Sequence, residues 1–145
     1  MSRRISLIVV AVLALAYGLV SVHPAYKRVE NSKHARDYAT YHYAVAEAVD
    51  GGDPYDTQAL SKRARADKSR KRVHPFFYPP PFLLTMPWAV PLELSTAYKA
   101  FFWLSQLCIL GTLVVMRRWI GAPLILLGVL ACTLTPITDS AKMGQ

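Results

Sequence analysis

An aspartate followed closely by phenols and an imidazole, Asp37-Tyr38-Ala39-Thr40-Tyr41-His42-Tyr43, is the stretch of this 145-residue chain best equipped for chemistry. A positioned carboxylate can take a proton from a hydroxyl in a transition state. Further along stand Asp53-Pro54-Tyr55-Asp56, then a run from Lys62 to Arg72 with seven positive charges against Asp67 alone, then Phe76-Phe77-Tyr78-Pro79-Pro80-Pro81. His74 and Tyr78 lie where the basic run meets the next apolar stretch, so both can contact a lipid phosphate; both equally suit the aromatic belt of any membrane interface. One acidic residue, several aromatics and a cationic stretch at a membrane surface suit a protein that handles a lipid with a polar head group.

Each of these features also has a plainer reading. Asp37 precedes an alanine-rich segment that Gly51-Gly52 stops, so it serves as the N-cap of a helix over 38–50. A carboxylate fully engaged with backbone amides is a poor base. Tyr38, Tyr41, Val45, Ala48 and Val49 recur at helical spacing, which predicts an amphipathic helix lying in the interface with His42 beside its apolar face. Asp53–Asp56 is turn chemistry. The basic run reads as a solvated or disordered face, although near a bilayer it attracts anionic head groups at about 1 kcal/mol per residue. His23, His34, His42 and His74 lack ligand spacing, and Cys108 and Cys132 sit in apolar runs without disulfide or metal spacing. There is no His-Glu-x-x-His, no phosphate-cradling glycine loop and no Gly-x-Ser-x-Gly. Nothing in the sequence demands a metal or other cofactor; the involvement of a divalent ion is left open.

The elements that must carry these residues are set by apolar run length. Ile5–Val22 is 18 residues without a charge, preceded by Arg3 and Arg4, and is long enough for a tilted or slightly short spanning helix. A cleaved signal peptide is the rival, but the small-residue site Ala16-Tyr17-Gly18 falls inside the run rather than after it. Ser95–Met116 is a second span, interrupted only by Lys99 near its start, and Trp119–Pro136 a third. An all-α integral membrane protein is therefore expected. Arginines beside span ends prefer the cytoplasm, so Arg3-Arg4 and Arg117-Arg118 place residues 23–94 and the tail 137–145 outside the cell. The loop's eleven Lys/Arg against eight Asp/Glu do not overturn this, because long loops translocate regardless of charge. That orientation leaves nucleic acid an unsuitable partner for the basic run. The segment 79–91 is too short and too proline-rich for a span, and is expected as a short helix dipping into the outer leaflet. A fourth span there is the rival topology.

The ordered set D-Y-x-x-Y-x-Y-A-x-A-x-A after the first span, G-G-D-P-Y-D, F-Y-P-P-P-F-L-L-x-x-P-W-A-V-P and a later Pro136…Gly144-Gln145 resembles bacterial glycosyltransferase family 87. The resemblance covers essentially the whole chain. It implies a multi-span GT-C fold with a long first extracytoplasmic loop containing interfacial helices, of which this chain looks like the N-terminal third. It also implies a polyprenyl-phosphate sugar donor, typically of mannose, a glycan or glycolipid acceptor, surrounding membrane lipids, and residence in the bacterial cytoplasmic membrane with the active face outside.

In such enzymes an acidic residue of the first extracytoplasmic loop is the general base, which maps onto Asp37. Tyr41, His74 and Tyr78 are then candidates for substrate contact at the donor groove, and Asp139 and Gln145 would face the same cavity from the C-terminal side. The alternative reading is a non-catalytic remnant or small membrane subunit that keeps the loop without turnover of its own.

Overall fold

Helices make up nearly all the regular structure in a computed structural model of the chain, which describes residues 3–30, 36–121, 123 and 126; no strand occurs among these residues. The first apolar run forms α1 (Arg3–Tyr17), continues without a break through a π-helical turn (Gly18–Val22), and passes into α2 (His23–Val29). The expected span ended at Val22, so the helical rod outruns it by the length of α2. Pro24 accounts for the π turn. Proline has no N–H, and its ring clashes with the carbonyl four residues back. The helix widens instead, and the His23 N–H bonds to the Gly18 carbonyl, five residues back. Ile8, Val12, Leu15, Leu19 and Val20 are each more than half exposed along this rod.

The other long element is α5, Leu94–Ile120. At 1.5 Å per residue its 27 residues reach about 40 Å. It begins one residue before the expected span and continues past Met116 through Arg117 and Arg118. There Gly121, in the left-handed conformation at φ 66°, stops it by donating to the Arg117 carbonyl. Leu94–Trp119 is long and apolar enough to cross a membrane, and only 6% of its most apolar window is buried within the fold. A soluble core helix would be mostly covered. The expected third span lies, beyond its first residues, outside the described residues, as does the tail 137–145.

The polar loop is a small helical domain built on α3, Arg36–Val49. This helix falls close to the expected 38–50, with two differences. It has already begun at Arg36, so Asp37 sits within its first turn rather than capping it. Its covered surface is also wider than one apolar face: Tyr38 to Val45 are buried except Tyr41, and Ala46 is buried too, while Val49 is 56% exposed. Alanines on two opposite sides (Ala39 and Ala46, Ala44 and Ala48) let neighbours approach closely, so α3 is a central helix wrapped by the rest of the loop. Its end is a Schellman turn: Gly51 at φ 79° donates to Ala48 and Gly52 to Glu47.

The turn Asp53–Asp56 behaves as local chemistry requires. Asp53 Oδ1 accepts from the Tyr55 N–H, and Asp56 caps the next helix by accepting from Gln58 and Ala59. That helix, α4 (Thr57–Ala66), takes up the first half of the basic run, which is therefore ordered there, while Lys62 and Arg65 stay exposed as a solvated face requires. Leu60 and Ala64, four apart, are fully buried against the core, and Arg63 bridges Glu47 and Asp50 of α3. A Cβ at Gly52 would collide with the Glu47 side chain in this clamp.

Residues 79–91 do not form one short helix. They fold as two 3₁₀ turns, Pro80–Thr85 and Pro87–Ala89, because prolines open each turn and interrupt helical hydrogen bonding. Met86 and Ala89 point into the core while Leu84 and Trp88 remain exposed. The core joins Val29, Tyr38, Tyr43, Leu60, Phe76 and Phe102 across all these elements. The apolar rod meets α5 where Tyr17 donates to Gln106 Oε1 at 2.6 Å and where the Tyr26 ring packs on Phe102 and Trp103.

Candidate functional site

The first turns of α3 and the strap before the proline turns enclose a cavity of about 330 Å³ lined by Asp37, Thr40, Tyr41, His74, Pro75, Phe77 and Tyr78. Four residues singled out in the sequence, up to 41 positions apart, thus meet around one space: Asp37, Tyr41, His74 and Tyr78. Asp139 and Gln145 lie outside the described residues.

Local structure explains the convergence. Asp37 and Tyr41 are four apart on α3 and share a face. Thr40, buried between them, donates from Oγ1 to its own helix at the Arg36 carbonyl (3.4 Å) and lies 3.3 Å from the His74 carbonyl across the cavity. That second contact ties the strap to the helix. Tyr78 is fixed at both ends: Tyr55 donates to its carbonyl at 2.9 Å, and Tyr41 donates to its hydroxyl at 2.7 Å. The Tyr41 and Tyr78 rings meet edge to face with centroids 4.9 Å apart, and Phe82 packs on both. Phe76 closes this cluster from beneath at 3% exposure, whereas Phe77 projects outward at 82%.

Protonation follows from this packing. Burial, then the hydrogen bond to Tyr78, and after these the charges of Tyr78 and Asp37, raise the Tyr41 phenol far above its usual range. It stays a donor at any working pH. Since it spends its proton on the Tyr78 oxygen, the Tyr78 hydroxyl keeps its own proton to donate elsewhere. The arrangement therefore offers a carboxylate, a hydrogen-bond donor and an imidazole around an aromatic-walled space open to one side. Among the described residues no group of three or more His, Cys, Asp or Glu side chains could hold a metal ion.

Sequence reasoning missed Thr40 and Tyr55, which position the site, and it missed α4. The signal for α4 was present: Asp56 as a cap ahead of the Leu60/Ala64 pair. The signal for Tyr55 was not, because its partner is 23 residues away.

The far flank of α3 faces a second and larger cavity of about 900 Å³, bounded by α4, the turn after it and the start of α5. His42 and Tyr43 line it from α3, both almost wholly buried. Burial pushes the Tyr43 phenol up to about 12 and lowers His42, the latter against a smaller opposing effect of Asp67. Tyr43 Oη and Ser69 Oγ share a 2.6 Å hydrogen bond, and Ser69 in turn donates to the Ala64 carbonyl. Comparison of the chain with protein-family models, with curated proteins and with solved structures finds no match.

Proposed function

We propose that this chain is a membrane glycosyltransferase, or part of one, that transfers a hexose such as mannose from a polyprenyl-phosphate donor to an acceptor hydroxyl outside the cytoplasmic membrane. The single observation that carries this reading is the meeting of Asp37, Tyr41, His74 and Tyr78 around one cavity. In the proposed step the Asp37 carboxylate takes the acceptor's hydroxyl proton as that oxygen bonds to the anomeric carbon. The bond from the anomeric carbon to the phosphate oxygen breaks, and the lipid phosphate leaves with the electron pair. Tyr78, whose hydroxyl proton is not used by Tyr41, is the group offered to the leaving phosphate. His74, on the same wall, is its neighbour in that role.

The membrane setting of this reading draws on two long apolar surfaces, the rod from α1 to α2 and the uncovered α5. Phe77 on the cavity lining, and Leu84 and Trp88 in the proline turns, are exposed and suit contact with the outer leaflet. The proposal orients this loop outward, makes the protein multi-pass, and includes the GT-C resemblance.

One observation favours the second reading, a binding subunit without turnover. A volume of about 330 Å³ sits at the small end of ligand cavities, which run from roughly 300 to 1,000 Å³. A site that only binds needs no more than room for one sugar ring.

The test uses native membranes carrying the protein at the length the cell makes it, supplied with radiolabelled polyprenyl-phosphate mannose. Asp37→Asn should cut transfer by about 10²-fold or more while leaving the protein folded and inserted. Near-full activity of that variant would remove Asp37 as the base. Saturable mannoside binding with no transfer in wild type would select the subunit reading.

A further inference from the structure

The cavity behind α3 is separate from the Asp37 site. Successive helical residues turn by roughly 100°, so Arg36 and His42 face away from Asp37 and Tyr41. Its volume of about 900 Å³ is ample for a ligand. Arg36, Lys68 and Arg70 bring positive charge to its wall, and Ser69 and Ser95 bring hydroxyls. Arg63 also lines it but is held by Glu47 and Asp50. Asp67 and Glu93 are the two carboxylates present, the second accepting from Ser95 Oγ at 3.2 Å. Positive side chains outnumber carboxylates along this wall, which suits an anionic ligand.

An independent observation points the same way. His42 is 4% exposed, lines this cavity, and its Nδ1 has no hydrogen-bond partner among the described residues. Buried polar atoms in native structures nearly always have a partner, so Nδ1, closed off from the cavity with the ring as it stands, gains one when the ring turns toward a ligand on that wall. Leu92, Leu94 and Val90 supply an apolar side to the same cavity at the point where α5 begins its apolar run. Charge, an unpaired imidazole and an apolar wall therefore coincide at the level where the chain enters its membrane-length helix. An imidazole also offers one donor and one acceptor, so it can meet either an ester oxygen or a head-group hydroxyl.

We propose that this cavity binds a phosphodiester monoanion, with Arg36 and Lys68 on the phosphate and His42 completing the contact. The chemistry is shared by an anionic lipid head group and a soluble glycerophosphodiester. The proposal stands independently of the chemistry assigned to Asp37.

The test follows the ring signal of His42 by NMR in protein with labelled histidine, dissolved in zwitterionic micelles and assigned with His42→Gln. One arm titrates glycerophosphoglycerol; the other titrates short-chain phosphatidylglycerol. A saturable shift of the His42 signal is expected in at least one arm. Response to the lipid alone identifies a head-group site, and response to the soluble diester identifies a free ester. Arg36→Gln combined with Lys68→Gln should weaken the response at least tenfold. Lys62→Gln combined with Lys71→Gln removes the same charge outside the cavity and should change it less than twofold. The proposal is overturned if neither probe moves the signal saturably, or if the two double variants weaken binding equally.

Discussion

Lys68 stands at φ 53°, the one non-glycine residue with a left-handed backbone among the described residues. It occupies the position after α4 that glycine holds after α3. Its N–H bonds to the Arg65 carbonyl at 3.0 Å, and Ser69 reaches back to Ala64 at 3.1 Å, so α4 ends in the same Schellman turn with a Cβ in the wrong place. That conformation costs an L-residue roughly 1–2 kcal/mol. Glycine avoids the clash but gives the unfolded chain more freedom, which returns about 0.5–1 kcal/mol. Lys68→Gly should therefore stabilise α4 by about 0.5–1 kcal/mol. The readout is amide hydrogen exchange at Leu60 and Ala64 in detergent, which should slow about two- to fivefold. Lys68→Ala is the control. It removes the same charge from a crowded basic run but keeps the Cβ, so exchange should stay within about 0.5 kcal/mol of wild type. If alanine protects as well as glycine, relief of charge rather than of backbone strain is the cause, and the reasoning fails. Faster exchange in the glycine variant would refute it outright.

Leu60 is the one large side chain that α4 buries, so Leu60→Ala should cost about 2–5 kcal/mol and release the helix. Trypsin should then cut within Lys62–Arg72 much faster, while the Tyr41–Tyr78 contact persists because α4 takes no part in it. Stability should also depend on pH through His42. Burial lowers its folded pKa below the ordinary value near 6.5, so its contribution is intact above that pH. As pH falls below it, the unfolded chain binds a proton that the folded chain refuses, and stability declines until the lowered folded value is reached. Denaturation midpoints between pH 7.5 and 5 should fall more steeply for wild type than for His42→Gln; parallel curves would sink this assignment. Asp37→Asn, by contrast, should leave the fold intact and cut the proposed sugar transfer by about 10²-fold or more.

Local sequence determined a good part of this molecule. Run length alone marked the apolar elements, since helices bond within themselves and an uncharged run of this length needs no distant partner to be recognised. Asp53 and Asp56 announced their turns because the amides they satisfy lie within three residues. Gly51 announced the end of α3 for the same reason. Asp37, Tyr41, His74 and Tyr78 were legible as candidates by residue type and by the family resemblance.

Only tertiary structure decided what surrounds them. The period of α3 suggested one apolar stripe, yet small residues on two opposite sides let packing bury nearly the whole helix, so pattern and outcome diverged. The basic run looked solvated because its two anchors, Leu60 and Ala64, are few and its charges many; contact with α3 turned half of it into a packed helix. Arg36 and Asp37, adjacent in the chain, open onto different cavities because a helix turns neighbouring side chains apart. Tyr78 reaches Tyr41 across 37 residues only when the proline turns fold back on the core. Bonds that close within a turn of backbone can be read along the chain, whereas a cavity wall depends on which distant segments share the core.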